Sequence, residues 1–330
     1  MRPLLLGPNQ PPDRFYLGGQ RIADFRGSPD LGDRVPEDWI GSTTTLAGDS
    51  RVGLTVLEDG TLLRDAILAD PEGWLGAEHV ARFGPDAMLL VKLLDAGQRL
   101  PVHAHPDRAF AAEHLGHAHG KAEAWFILEP GEVHLGLRRD VSREELLDIV
   151  ARQDIDALLG LLHQLSVDAG DAVYVPPGVL HSTGEGVFLA EVQEPEDLSI
   201  LLEWRDFELD GEVDGHLGLG FPVVIDAVDR VGRTLDEVEG WVTRGREGEV
   251  LPEAAAAFFR LSRHTVHGSA VLGTGFAIGI VTRGELVLET AHGGALELRR
   301  GNTLVIPAAV GALRAAGTGE LLLCRPPAAV

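Results

Sequence analysis

Apolar residues along this chain come in short runs rich in Leu and β-branched residues, each cut off by Gly or Pro. That pattern predicts antiparallel strands of a sandwich or barrel. Strand-like alternation is clearest from Phe276 to Leu288 and from Leu296 to Ile306. Two stretches break it. From Leu62 to Arg82, the residues Leu63, Ile67, Leu68, Trp74 and Leu75 recur at helical offsets. From Ser142 to Leu165, a Ser-x-x-Glu start at Ser142 and Glu145 has the form of a capping box, and Leu146, Leu147, Ile149, Val150, Leu158, Leu159 and Leu162 follow it. Both predict helices inserted into or flanking a β framework. Ala254 to Phe259 predicts a short helical linker, so the residues after about 250 are expected to form a second small β-domain. Gly301-x5-Pro307 echoes Gly170-x5-Pro176.

Composition narrows the function. The 330 residues have room for one large or two modest domains, and 45% hydrophobic with 24% charged residues excludes a mostly disordered chain. Lys and Arg number 28 against 51 Asp and Glu, a formal charge of -23. Such a surface repels phosphate backbones and anionic lipid, so neither nucleic acid nor membrane is expected as a partner. A small anionic ligand would need a local island of positive charge. The lone cysteine, Cys324, cannot form an internal disulfide. No secretory leader is evident, and no apolar stretch approaches the roughly 20 residues of a spanning helix. A cytoplasmic protein, monomer or homodimer, is expected.

The echo points to the chemistry. Gly97-Gln-Arg-Leu-Pro-Val-His103-Ala-His105 has the form G-x5-H-x-H, and Gly170 to His181 the form G-x5-P-x-G-x2-H. Between them Lys121-Ala-Glu123-Ala-Trp125 supplies a carboxylate on a predicted strand. Alternation points His103 and His105 to one face, and Lys121, Glu123 and Trp125 to one face of another strand. Three imidazoles and a carboxylate converging inside a barrel make a divalent metal site suited to Zn, Mn, Fe or Ni. His117-Ala-His119, in a nearby Gly-rich loop, reads as a chance pair.

These two motifs resemble the signatures of the cupin superfamily. Seventeen residues, rather than a few, separate His105 from Glu123, and a helical segment lies between the motifs. With Leu90-Val-Lys92-Leu-Leu-Asp95 upstream, His105-Pro106-Asp107, Gly120-Lys121-x-Glu123-x-Trp125 and Ala190-Glu191-Val-Gln193, the chain is similar to the class I phosphomannose isomerase family. The likeness reaches Gly18-Gly19 and Glu37-Asp-Trp39 and covers nearly the whole chain. It implies a mainly β bicupin: two cupin (jelly-roll) barrels with inserted or flanking helices, residues 1–250 catalytic and 251–330 a degenerate barrel without metal ligands. It also implies an aldose–ketose isomerase acting on a small phosphorylated sugar, mannose 6-phosphate to fructose 6-phosphate or a relative. Zinc is the implied metal, held by His103, His105, Glu123 and His181; His103 stands where the family has Gln.

Only two lysines, Lys92 and Lys121, occur in a chain that otherwise uses arginine, and both flank the metal motif. A compact ammonium can hold phosphate or move a proton where a permanently charged guanidinium does so less readily. They match the family's two active-site lysines, so Lys92 and Lys121, with Asp107, are the expected substrate-binding residues. Lys121, Glu191 and Arg205 are the expected catalytic ones. The base is left open among Glu191, Lys121, a metal-bound water and the neighbours of His181. One departure stands out: Leu201 occupies the family's arginine position, with Arg205 four residues on as a possible substitute. It raises the alternative of a divergent metal-binding cupin, either an oxygenase or epimerase on another substrate or a non-catalytic carbohydrate-binding or sensing protein.

Overall fold

The computed structural model describes residues 1–291 and 294–329. It is mainly β, built from three antiparallel sheets in layers. The middle sheet runs, in spatial order, Val242–Thr243, Ala172–Val175, Glu123–Glu129, Phe188–Gln193, Leu90–Asp95 and Glu37–Ile40. Strands Leu90–Asp95, Ala172–Val175 and Phe188–Gln193 are buried on both faces, which is why they read as largely apolar runs. One face packs against the sheet Ile200–Leu201, His103–Ala104, His181–Thr183, Gly131–Leu137 and Leu162–Val167, through Trp125, Ile127, Val173 and Leu189 against Val133, Leu135, Leu165 and Val167. Its other face packs through Phe126, Tyr174 and Val192 against Leu261, Ile278, Val305 and Leu322. Those belong to the seven-stranded sheet of the C-terminal part, which also takes in the N-terminal strand Leu4–Leu6, paired with Thr303 to Val305.

The first predicted helical stretch is three short helices, Leu63–Ala69, Pro71–Leu75 and Ala77–Phe83. Pro71 cannot continue the preceding ladder, and Gly76, at φ 94, breaks the chain again. The second is shorter than its periodicity suggested. Helices Arg143–Arg152 and Ile155–Gly160 are separated by Gln153 at positive φ, and Leu162–Val167 is a strand. Leu162 and Leu165 therefore lie on a strand rather than a helix; the LLGLLHQL run satisfies either period, and the alternating burial of 162–167 decides it. Ser142 does cap its helix, accepting from the Glu145 N–H, but Glu145 pairs with Arg139 instead of closing the box. The expected linker is a 3₁₀ turn, Glu253–Ala257. It precedes the long strands Arg260–Gly273 and Ala277–Thr290.

Candidate metal centre and active site

The site lies between the middle sheet and the five-stranded sheet, where strand register sets two rows of side chains opposite each other. In the middle sheet, Trp39 pairs with Lys92, Lys92 with Glu191, and Glu191 with Trp125. In the facing sheet, Leu201 pairs with His103, and His103 with His181. Ligand atoms of His103, His105 and His181 all lie within 4.8 Å of one another, and all three residues are buried. Each Nδ1 faces a backbone carbonyl: Pro101 at 2.8 Å, Leu198 at 2.7 Å and Val179 at 2.9 Å. A carbonyl only accepts, so each Nδ1 carries the proton and each Nε2 presents a lone pair inward.

Glu123 brings a carboxylate against those lone pairs, Oε2 at 2.9 Å from His105 Nε2 and Oε1 at 3.2 Å from His181 Nε2. Acceptors crowded this closely require a cation among them. The Lys121 ammonium serves part of that need, donating to His105 Nε2 and to Glu123 Oε2, both at 2.8 Å. His181 Nε2 is buried without a hydrogen-bond donor. Burial pushes the His103 imidazole well below its ordinary pKa, and burial with the Lys121 charge pushes His105 down to about 3, so both rings are neutral. Burial opposes the Glu123 carboxylate, but Lys121 and the neighbouring histidines hold it well below the usual range. Neutral imidazoles with fixed tautomers and an ionised carboxylate are the donor set a divalent ion needs; the residues fit the metal.

Behind the ligands lies a buried charge network. The Lys92 ammonium stands 3.4 Å from Glu37 and 3.5 Å from Glu191, over the Trp39 ring. Glu37 also accepts from the Tyr16 hydroxyl, from Trp39 Nε1 at 2.6 Å and from Arg14 Nε at 3.2 Å. Burial alone would raise the Glu37 carboxyl, but Arg14 and Lys92, with those hydrogen bonds, hold it far below the usual carboxylate range. Glu191 goes the other way: burial and the negative charge of Glu123 raise its pKa, and its Oε1 has no hydrogen-bond partner. Two carboxyls on one sheet are thus pushed apart, one fixed as an anion and one able to take and return a proton.

No family model matches the chain. The mannose-6-phosphate isomerase of Streptococcus mutans is 30% identical over 260 residues, 76% of each sequence. The chain belongs to the mannose-6-phosphate isomerase family. Another relative, the mannose-6-phosphate isomerase ManA of Bacillus subtilis, is 30% identical over 190 residues, 56% of each sequence. Among solved structures, the mannose 6-phosphate isomerase of Bacillus subtilis aligns over 98% of this chain and 100% of its own, with TM-score 0.76 and 23% identity. A mannose 6-phosphate isomerase bound with zinc and yttrium aligns over 99% and 100%, with TM-score 0.78 and 17% identity. These likenesses establish the fold.

In this member of the family, Lys92, Lys121 and Glu191 lie with the four candidate ligands around one small cavity or directly behind it. Two expected residues do not. Asp107 is exposed and caps the turn Arg108–Phe110, accepting from the Phe110 N–H at 2.7 Å. Arg205 is also exposed, its guanidinium 3.4 Å from the Arg152 carbonyl and its N–H on Gln153. The strand ends at Leu201, and the Glu203 carboxylate clamps Arg99 and the Val102 N–H, which turns the following residues away from the cavity. His117 and His119 pair with Glu196 and Asp86, apart from the three-histidine cluster. Arg14, Tyr16, Glu37 and Asp197 line the cavity without having been marked as site residues. No metal-ligand spacing surrounds them. The only sequence signal was the Gly18-Gly19 and Glu37-Asp-Trp39 likeness.

Proposed function

We propose that this chain interconverts mannose 6-phosphate and fructose 6-phosphate, or a closely related sugar-phosphate pair, with Zn²⁺ held by His103, His105, Glu123 and His181. The observation that carries the reading is the convergence of three inward Nε2 lone pairs and the Glu123 carboxylate beside Lys121 and a Glu191 whose pKa is raised. Nitrogen and oxygen donors of this kind also suit Mn, Fe or Ni. Zinc bound there would polarise the sugar carbonyl and orient the adjacent hydroxyl.

The chain's own residues supply the proton movements. Aldose–ketose exchange carries one proton between C2 and C1 and another between the two oxygens. Glu191, on the cavity wall with its pKa raised by burial and by Glu123, takes the carbon proton and returns it to the neighbouring carbon. Lys121 donates toward the sugar oxygen as negative charge develops there. Lys92 keeps Glu37 ionised and steadies Glu191 from behind. Two further readings accompany this one: a two-barrel, bicupin architecture divided near residue 250, and a cytoplasmic monomer or homodimer. The single cysteine, which asks for no oxidising compartment, favours the cytoplasmic part of that reading.

The test is a coupled assay on mannose 6-phosphate with metal analysis of the same preparation. Glu191→Gln should lower kcat by about 10²–10⁴-fold, the usual worth of a positioned acid–base group, with metal content unchanged. Chelation should abolish turnover and zinc restore it. Native protein that isomerises no hexose phosphate, or a fully active Glu191→Gln, would sink the reading.

A further inference from the structure

We infer that Arg14 anchors the anionic end of the substrate. The inference rests on the sugar-phosphate reading above and deepens it. Three cations border the cavity at the metal centre, and two are already committed. Lys121 lies against the metal ligands His105 and Glu123, where it serves the reacting end of the sugar, and Lys92 is wedged between Glu37 and Glu191; each side chain is 5% exposed. The Arg14 side chain is 14% exposed, the most open of the three. Its Nε and Nη2 hold Glu37 at 3.2 and 3.1 Å, while Nη2 reaches Asp197 only at 3.9 Å. Among the described residues Nη1 has no acceptor. One edge of the fork is therefore fixed by a carboxylate, and the other is left for an incoming anionic oxygen.

The rest of the wall offers no substitute. Leu201, beside His103 in the register, is apolar; Arg205 points to solvent; and both Arg99 terminal nitrogens are spent on Glu203. A larger cavity of ≈ 570 Å³ shares Asp197 with the site, but its lining sets one arginine, Arg64 paired with Asp65, against Asp86, Glu196 and Asp197, and its histidines pair with Glu196 and Asp86. Its acids outnumber its one arginine, whereas three cations border the site cavity. Charge thus directs the anionic group to Arg14, which is delivered from the N-terminal segment rather than from either site sheet.

Two measurements test this, using Arg14→Gln and Arg14→Lys in the metal-loaded full chain. In kinetics on mannose 6-phosphate, Arg14→Gln should raise KM by about 10- to 100-fold, the scale of one charge-assisted hydrogen bond, while kcat changes less than about 3-fold. Inorganic phosphate, used as a competitive inhibitor, should lose affinity in parallel. Arg14→Lys keeps the charge opposite Glu37 but not the fork, and should fall between. A drop in kcat with KM and phosphate inhibition unchanged would overturn the inference, because Arg14 would then act only by holding Glu37. Calorimetric titration of inorganic phosphate into native protein and Arg14→Lys is independent of turnover. Equal affinities there overturn the anchor even if the isomerase assay succeeds. If the native protein turns over no sugar phosphate yet binds phosphate through Arg14, the proposed reaction fails and the anchor stands.

Discussion

Lys92 is the residue on which the buried charge of the site depends. Its ammonium is the shared counter-ion of Glu37 and Glu191, and removing it leaves two carboxylates facing each other away from water. Lys92→Met should therefore cost about 3–5 kcal/mol of stability, measured as a fall in the urea midpoint, even where zinc content is retained. Glu37 predicts the acid limit. Its folded pKa lies below its unfolded value of about 4.3, so its contribution is complete above that value and is lost as pH falls toward the folded one. Native protein should lose stability progressively from about pH 5 downward, and Glu37→Gln should flatten that decline; parallel curves would show that other carboxylates govern it. At this scale much of the site was legible. Two lysines in an arginine-rich chain announce themselves, as do His103, His105, Glu123 and His181 by their spacing. Arg14 did not, because one arginine among so many carries no signal, and its use depends on where a distant loop lands.

That loop is the matter of element scale. The segment carrying Arg14 and Tyr16 is strapped to the middle sheet at Gly18 and Gly19, where the Asp95 carboxylate accepts from the Gly19 and Arg21 N–H groups. Gly18 has φ +151, and a Cβ there would lie 2.0 Å from the Asp95 carbonyl oxygen. Gly18→Ala should thus lift the strap, costing about 2–3 kcal/mol and raising KM through displacement of Arg14. Gly27→Ala is the control: its φ is +63 but its Cβ would meet nothing, so it should cost about 1 kcal/mol and leave KM alone. Thermal melts and kinetics on the pair separate the two effects. The β character and the helical interruptions were readable from periodicity. Element boundaries were not: Leu162 and Leu165 fit a helix in the sequence and a strand in the fold, and only pairing with the neighbouring strand, Leu162 beside Leu137 and Leu165 beside Val133, chooses between them. Arg205 failed for a related reason, since counting four residues along assumes a strand that ends at Leu201.

For the whole molecule, the formal charge of -23 and the three site cations pull an anionic substrate in opposite senses, and distance separates them. The repulsive field is a sum over exposed carboxylates and acts from tens of ångströms. The attraction is local and partly shielded from solvent between two sheets. Salt screens the long-range part first, because the Debye length is about 30 Å at 0.01 M and about 10 Å at 0.1 M, while contacts within a buried pocket are screened much less. The KM for mannose 6-phosphate should accordingly fall as NaCl rises from about 10 to 100 mM, then rise again at several hundred millimolar as chloride competes for Arg14. A KM that climbs steadily from the lowest salt would mean that local attraction dominates at every distance. In Arg14→Gln the high-salt rise should be blunted while the low-salt fall remains, since the acidic surface is unchanged and only the anion's contact in the pocket has been removed.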